Sequence, residues 1–389
     1  MEKVQRIAGR FILLIAVLII GLTVFFYQFV LIQPTQLHDF SQTETLVWNR
    51  VDLDNDTLCS DGSEYFILTN RGSSNNLLIH FSGGGACWDV ATCSEVLSLP
   101  ELLLAPPQLF YFPEIFSIWP TLLGGVHQRD NLDNPFAEWN IVYIPYCTGD
   151  LHIGNAINSY QSEMNETVTV RHNGRNNTLA ALDWISLNIE NPDTVLISGD
   201  SAGGFASIFW TPQIVQQYPD ANLYQLSDSA FLESSRWGTT LDDTWKVDWE
   251  HNFGYPSGDD IVGNAYLRNT SLYSDQVTFL QFSSLYDDVL TSFYAAFNDI
   301  PINSDDYILD WSDRMLQSVR TIDASASNYF YYLTDFGYDE TTLTTPHSAM
   351  ARPEFYEIEE SEVFFVDWLA KIVIDGERYS VGTVFLDQE

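Results

Sequence analysis

Seven short apolar runs recur along the chain: 65–69 (YFILT), 76–81 (NLLIHF), 140–145 (NIVYIP), 194–199 (TVLISG), 222–227 (NLYQLS), 277–282 (VTFLQF) and 328–333 (NYFYYL). They are rich in β-branched and aromatic residues, which predicts buried strands. Helical spacing appears between and after them. Residues 178–191 place apolar side chains at three- and four-residue steps and stop before Pro192. Residues 203–218 form a second helix, which Pro212 should kink or split. Residues 363–376 form a terminal helix. Strands alternating with helices predict an α/β fold, a mostly parallel sheet covered by helices on both faces. The Pro-, Phe- and Leu-rich stretch 97–139 reads as an insertion over that sheet.

The longest apolar run, residues 11–32, has a different character. As a helix its 22 residues would reach ~33 Å, enough to cross a bilayer. Lys3, Arg6 and Arg10 precede it, so the positive-inside rule keeps residues 1–10 cytoplasmic and sends the remainder outward. No small-residue cleavage site follows, which favours an uncleaved transmembrane signal anchor over a cleaved signal peptide and secretion. Residues 33–47 then read as a tether, and 48–389 as one globular domain.

Hydrophobic residues make up 46% of the chain and aromatic residues 14%, a folded composition. The 53 acidic residues against 16 basic ones give a net charge of −37, a field that excludes nucleic acid as a partner. The same field disfavours a strongly anionic glycan, even though salt screens it beyond ~8 Å. Cys59, Cys87, Cys93 and Cys147 are an even set in an exported domain, which predicts two disulfides. No histidine joins them at zinc-ligand spacing, so neither a metal nor another cofactor is expected. Sequons at Asn55, Asn165, Asn176 and Asn269 are surface candidates for glycosylation.

Gly199-Asp200-Ser201-Ala202-Gly203 fits G-x-S-x-G between a predicted strand and a predicted helix. That is the context of a nucleophile elbow, a turn tight enough to lift the serine hydroxyl off the sheet. The competing reading is a serine that merely caps the helix. A base should follow Ser201 in the chain, and His251 and His347 do so. His347 is the better placed, in a loop after the last predicted strand. The acid belongs between them at a strand end, where Asp287, Asp288 and Asp228 compete. Gly83-Gly84-Gly85 directly after the strand 76–81 supplies backbone amides for a second half of an oxyanion hole.

Together, CSDG (59–62), FSGGGACWDVATC (81–93), YIPYCTGDLHIGN (143–155), SGDSAGG (198–204), SLYDDV (284–289) and PHSAM (346–350) resemble the pectin acetylesterase and Notum family. The resemblance implies an α/β-hydrolase fold and extracellular, metal-free carboxylic-ester hydrolysis. It implies Ser201 as nucleophile, Asp287 as acid and His347 as base, with Gly84, Gly85 and Ala202 as oxyanion donors. It also implies Cys59–Cys147 and Cys87–Cys93 as disulfides. Two positions depart from the pattern. Ala86 stands where many members have tryptophan, with Trp88 after the cysteine, and Asp200 puts a carboxylate beside the nucleophile. The expected substrate is a neutral O-acyl ester, acetyl first, on a glycan or a lipid-like molecule, handled by a monomer. The rival expectation is a tethered, non-catalytic binding module on the same fold.

Overall fold

The computed structural model describes residues 21, 31–37, 39–53, 56–94, 111–116, 119–161, 167–302 and 305–387. The apolar run 11–32 therefore lies outside the described residues except at Gly21, Leu31 and Ile32, as do the sequon asparagines Asn55 and Asn165 and much of the 97–139 stretch. Among the described residues no helix is long and apolar enough to cross a membrane.

Nine strands form the central sheet: β1 (Thr35–Gln36), β2 (Trp48–Asp52), β3 (Phe66–Asn70), β4 (Leu77–Phe81), β5 (Asn140–Ile144), β8 (Thr194–Asp200), β9 (Asn222–Asp228), β10 (Val277–Ser284) and β11 (Tyr329–Thr334). Their spatial order is β1-β2-β3-β5-β4-β8-β9-β10-β11. The pairs β2–β3 and β3–β5 are antiparallel and the other pairs are parallel. Two ribbons stand apart, β6 (Ala156–Gln161) with β7 (Thr167–His172) and β12 (Glu359–Glu360) with β13 (Val363–Phe364). All seven predicted strands are present within a residue or two of their predicted limits. The strands missed are β1, β2 and the ribbons. Of these six strands, β1, β12 and β13 are only two residues long and β6 alternates between exposed and half-buried positions, too little apolar sequence to register as a run.

Alternation along the strands divides the core into two layers. Val195 and Ile197 of β8 pack on one face, with α1 (Gly174–Asn188), α2 (Ala202–Gln217), α3 (Ile261–Leu272), α4 (Asp288–Phe297) and α5 (Asp306–Asp323). Leu196 faces the other way, toward α6 (Phe365–Val373). The helices thus cover both faces, as the pattern predicted.

The expected split at Pro212 and the expected surface position of Asn269 are both overturned, and by one contact. Helix α2 runs unbroken through Pro212. Proline has no N–H, so the carbonyl four residues earlier, that of Ile208, loses its helical donor. The side-chain amide of Asn269 replaces it, donating to Ile208 O at 2.8 Å. Asn269 is 2% exposed; it repairs a helix rather than presenting a glycosylation site.

Candidate active site

Ser201 lies between the end of β8 and the first residue of α2, at φ 53° and ψ −124°. A non-glycine residue held at positive φ stores strain that only a defined turn maintains. The two flanking glycines explain how the turn closes. A Cβ on Gly203 would lie 1.9 Å from Phe81 O, and one on Gly199 would lie 2.1 Å from Gly203 O. Ser201 occupies the N-cap position, yet its hydroxyl makes no capping bond, so the reading as a simple helix cap fails. The turn is held instead through the backbone, with Ser201 N–H donating to Asp228 O at 2.8 Å.

His347 is presented by the loop after β11. Its Nδ1 lies 2.7 Å from Asp287 Oδ2 and 2.8 Å from Oδ1. Asp287 is buried at the N-cap of α4, where Oδ1 also accepts the amides of Val289 and Leu290. The Nε2 of His347 is buried without a hydrogen-bond partner among the described residues. Burial pulls the imidazole toward its neutral form, but the carboxylates of Asp287, Asp288 and Asp228 outweigh it, and its pKa stands above the ordinary imidazole value. Burial pushes up the carboxylate of Asp200, the residue before Ser201, but His80 and, after it, His347 hold it below the ordinary carboxylate value.

The other candidates fall elsewhere. Asp288 opens α4 and is exposed. His251 is exposed on the short helix Trp249–Phe253. Asp228, weighed as an alternative acid, is fully buried under the His347 loop, where Oδ2 accepts the amides of Ala349 and Met350 at 2.8 and 2.7 Å. Burial raises its pKa to about 6. Its task is to hold the loop, with Ser229 Oγ taking the amide of Ser348 beside it. Nothing in the local sequence distinguishes that role, because the two partners are backbone amides some 120 residues away.

The glycine loop after β4 completes the site. Gly84 and Gly85 both have positive φ, 155° and 79°. Neither their amides nor that of Ala202 find an acceptor among the described residues. The loop is supported beneath by His152, whose Nε2 lies 2.9 Å from Ser82 O. It is tied at its far end by the Cys87–Cys93 disulfide, and Cys59–Cys147 forms the second bridge. His172 lies within 4.8 Å of Cys87 and Cys93, but sulfurs bonded to each other offer no thiolate to a metal.

Ser201, Ala202 and Gly85 form one wall of a pocket of about 430 Å³, open solvent at its mouth included. The remaining lining is almost wholly apolar, dominated by Trp88, Phe205, Trp237, Trp245, Phe293 and Phe297. Trp88 and Trp237 close on Phe297 with ring centroids 4.9 and 4.6 Å away.

The sequence profile described as Pectinacetylesterase matches residues 116–243. Pectin acetylesterase 11 of Arabidopsis thaliana is 27% identical over 217 residues, 54% of this chain and 46% of that protein. The human palmitoleoyl-protein carboxylesterase NOTUM is 26% identical over 200 residues, 48% of this chain and 37% of that one. The chain thus spans less than half the length of these curated relatives. The structure of the Wnt deacylase Notum from Drosophila superposes with a TM-score of 0.56 at 15% identity, over 85% of this chain and 94% of that one. Profile and relatives converge on likeness to the pectin acetylesterases and Notum carboxylesterases, and the fold is like that of Notum.

Proposed function

We propose that the protein is a serine carboxylesterase that removes short acyl groups, acetyl first, from O-acyl esters on a neutral glycan. The observation that carries this reading is the Asp287–His347 pair, with a free imidazole Nε2, set in the same site as a strained, uncapped Ser201. In the mechanism, His347 Nε2 takes the Ser201 hydroxyl proton as Oγ attacks the ester carbonyl. Asp287 fixes the tautomer and stabilises the imidazolium. The amides of Gly84, Gly85 and Ala202 bind the tetrahedral oxyanion. His347 then gives its proton to the leaving alcohol, and water repeats the sequence on the acyl-enzyme.

The aromatic pocket receives the acyl group. Its crowding by Trp88, Trp237 and Phe297 favours a short chain over the palmitoleoyl group in the names of the Notum relatives. The apolar run 11–32 and its basic flank support a reading in which the domain is held outside the cytoplasm by a membrane anchor. A fluorophosphonate probe should label Ser201, and labelling should vanish in Ser201→Ala. Chromogenic esters of one alcohol with acyl chains of increasing length should be cleaved fastest at two to four carbons. A protein that ignores both reagents is the non-catalytic binding module instead.

A further inference from the structure

Asp200 puts a carboxylate directly before the nucleophile, beside amides that have to stabilise an oxyanion. An unengaged negative charge there opposes the transition state. In this fold the charge is engaged. Asp200 Oδ1 lies 2.8 Å from His80 Nε2. A carboxylate only accepts, so Nε2 carries the proton. His80 Nδ1 lies 2.9 Å from Ser198 Oγ. The three residues share one face of the sheet, because β4 and β8 pair in parallel with His80 opposite Ser198. The His80 side chain is fully buried and that of Asp200 is 18% exposed.

The carboxylate also reaches the glycine loop. A Cβ on Gly83 would lie 2.6 Å from Asp200 Oδ2, so the carboxylate is packed against the first glycine of the loop. The rings of His127 and Tyr143 close around His80 at 4.6 and 5.7 Å. Neither is an acid that could take the place of Asp200.

We propose that His80 is a positioning residue for the ester hydrolysis described above. Its bond to Asp200 draws the carboxylate's charge away from the oxyanion site. It also makes Asp200, the residue before Ser201, a strut against the first glycine of the loop. The inference rests on Ser201 being the nucleophile.

The design predicts an asymmetric mutant cycle. Asp200→Ser removes the charge together with the strut and should lower kcat no more than about tenfold. His80→Gln leaves a carboxylate poorly engaged beside the oxyanion and should lower kcat by about 10²-fold, the scale of losing an oxyanion donor, with KM within about twofold. The double variant should return to within about threefold of Asp200→Ser. Affinity for a trifluoromethyl ketone, which forms a tetrahedral oxyanion on serine, should fall in step with kcat/KM across the set. Affinity for the product carboxylate should not.

A His80→Gln enzyme with full kcat, or a double variant as poor as His80→Gln, overturns the inference. If His80→Gln does not fold, Asp200→Ser and the double variant decide. A loss above tenfold on removing His80 from Asp200→Ser, or a double variant that alone fails to fold, overturns it too. Wild type and Ser201→Ala on the same ester separate this from the parent reading. An inert wild type, or a Ser201→Ala that still turns over, refutes the esterase itself. Active wild type, silent Ser201→Ala and unimpaired His80→Gln refute only the role of His80.

Discussion

Asp287 serves His347 and the start of helix α4 with the same carboxylate: Nδ1 of His347 lies 2.7 Å from Oδ2, while Oδ1 takes the amides of Val289 and Leu290. The cap fixes the carboxylate's rotamer, and the fixed carboxylate orients the imidazole. Asparagine caps a helix as well as aspartate does, so Asp287→Asn should fold normally. It presents the wrong hydrogen-bonding pattern to Nδ1, and kcat should drop by up to ~10⁴-fold. Asp288→Asn should keep most of the activity. Steady-state kinetics on any cleaved ester checks both, and the reverse ranking would move the acid by one residue.

The pH profile tests the same pair from another side. The carboxylates near His347 hold its pKa above the ordinary imidazole value, and the base acts only when unprotonated. Activity should therefore rise with pH, and the acid limb of kcat/KM should turn at a pH above about 6.5. Asp288 is one of the carboxylates that raise it. Asp288→Asn should move the limb to lower pH without changing the plateau. A limb well below 6, or one that Asp288→Asn moves upward, would contradict the electrostatics.

Much of this candidate site is legible in the sequence. G-x-S-x-G, the triple glycine and the loop histidine announce themselves because each depends on a local backbone requirement or on chain order. His80 and Asp228 did not. His80 sits inside an apolar strand, where a histidine reads as core, and its partner comes from a neighbouring strand. Asp228 holds a loop through backbone amides that carry no sequence signature. The unbroken α2 was illegible for the same reason, since the donor that replaces the missing N–H of Pro212 is the distant Asn269.

The aromatic pocket makes a prediction about chain length. Trp88 packs against Phe293 and Phe297 at centroid distances of 6.1 and 4.9 Å and lines the cavity beside Ser201. Trp88→Ala should enlarge that cavity and move the preferred acyl chain to greater length. It should also destabilise the protein by about 3–5 kcal/mol, as truncating a buried tryptophan does. An acyl-chain panel and a denaturant titration measure the two effects. Unchanged chain preference with the expected loss of stability would place the acyl group elsewhere.

Buried histidines set the last prediction. Burial lowers His152 and His172 to about 4 and holds His127 well below the ordinary imidazole value. Unfolded, each holds a proton up to about pH 6.5. Between about pH 4 and 6.5 the unfolded chain therefore binds more protons at these sites, and stability rises with pH. Asp150 and Asp228 oppose this, because burial raises both to about 6; below that pH the folded state holds their protons, and stability falls as they are lost. Asp260, buried and raised for the same reason, adds to the aspartates, so the histidines' excess is under one proton and the slope is below about 1.4 kcal/mol per pH unit. His347 has the opposite sign, since its raised pKa contributes stability that is lost as pH climbs through it. Unfolding free energy, measured in about 0.5 M salt to screen the acidic surface, should therefore increase from pH 5 to 6.5 and level off above. His172→Gln removes one of the three buried imidazoles and should nearly flatten the rise, whereas a wild-type protein that loses stability between pH 5 and 6.5 would show that the buried aspartates dominate.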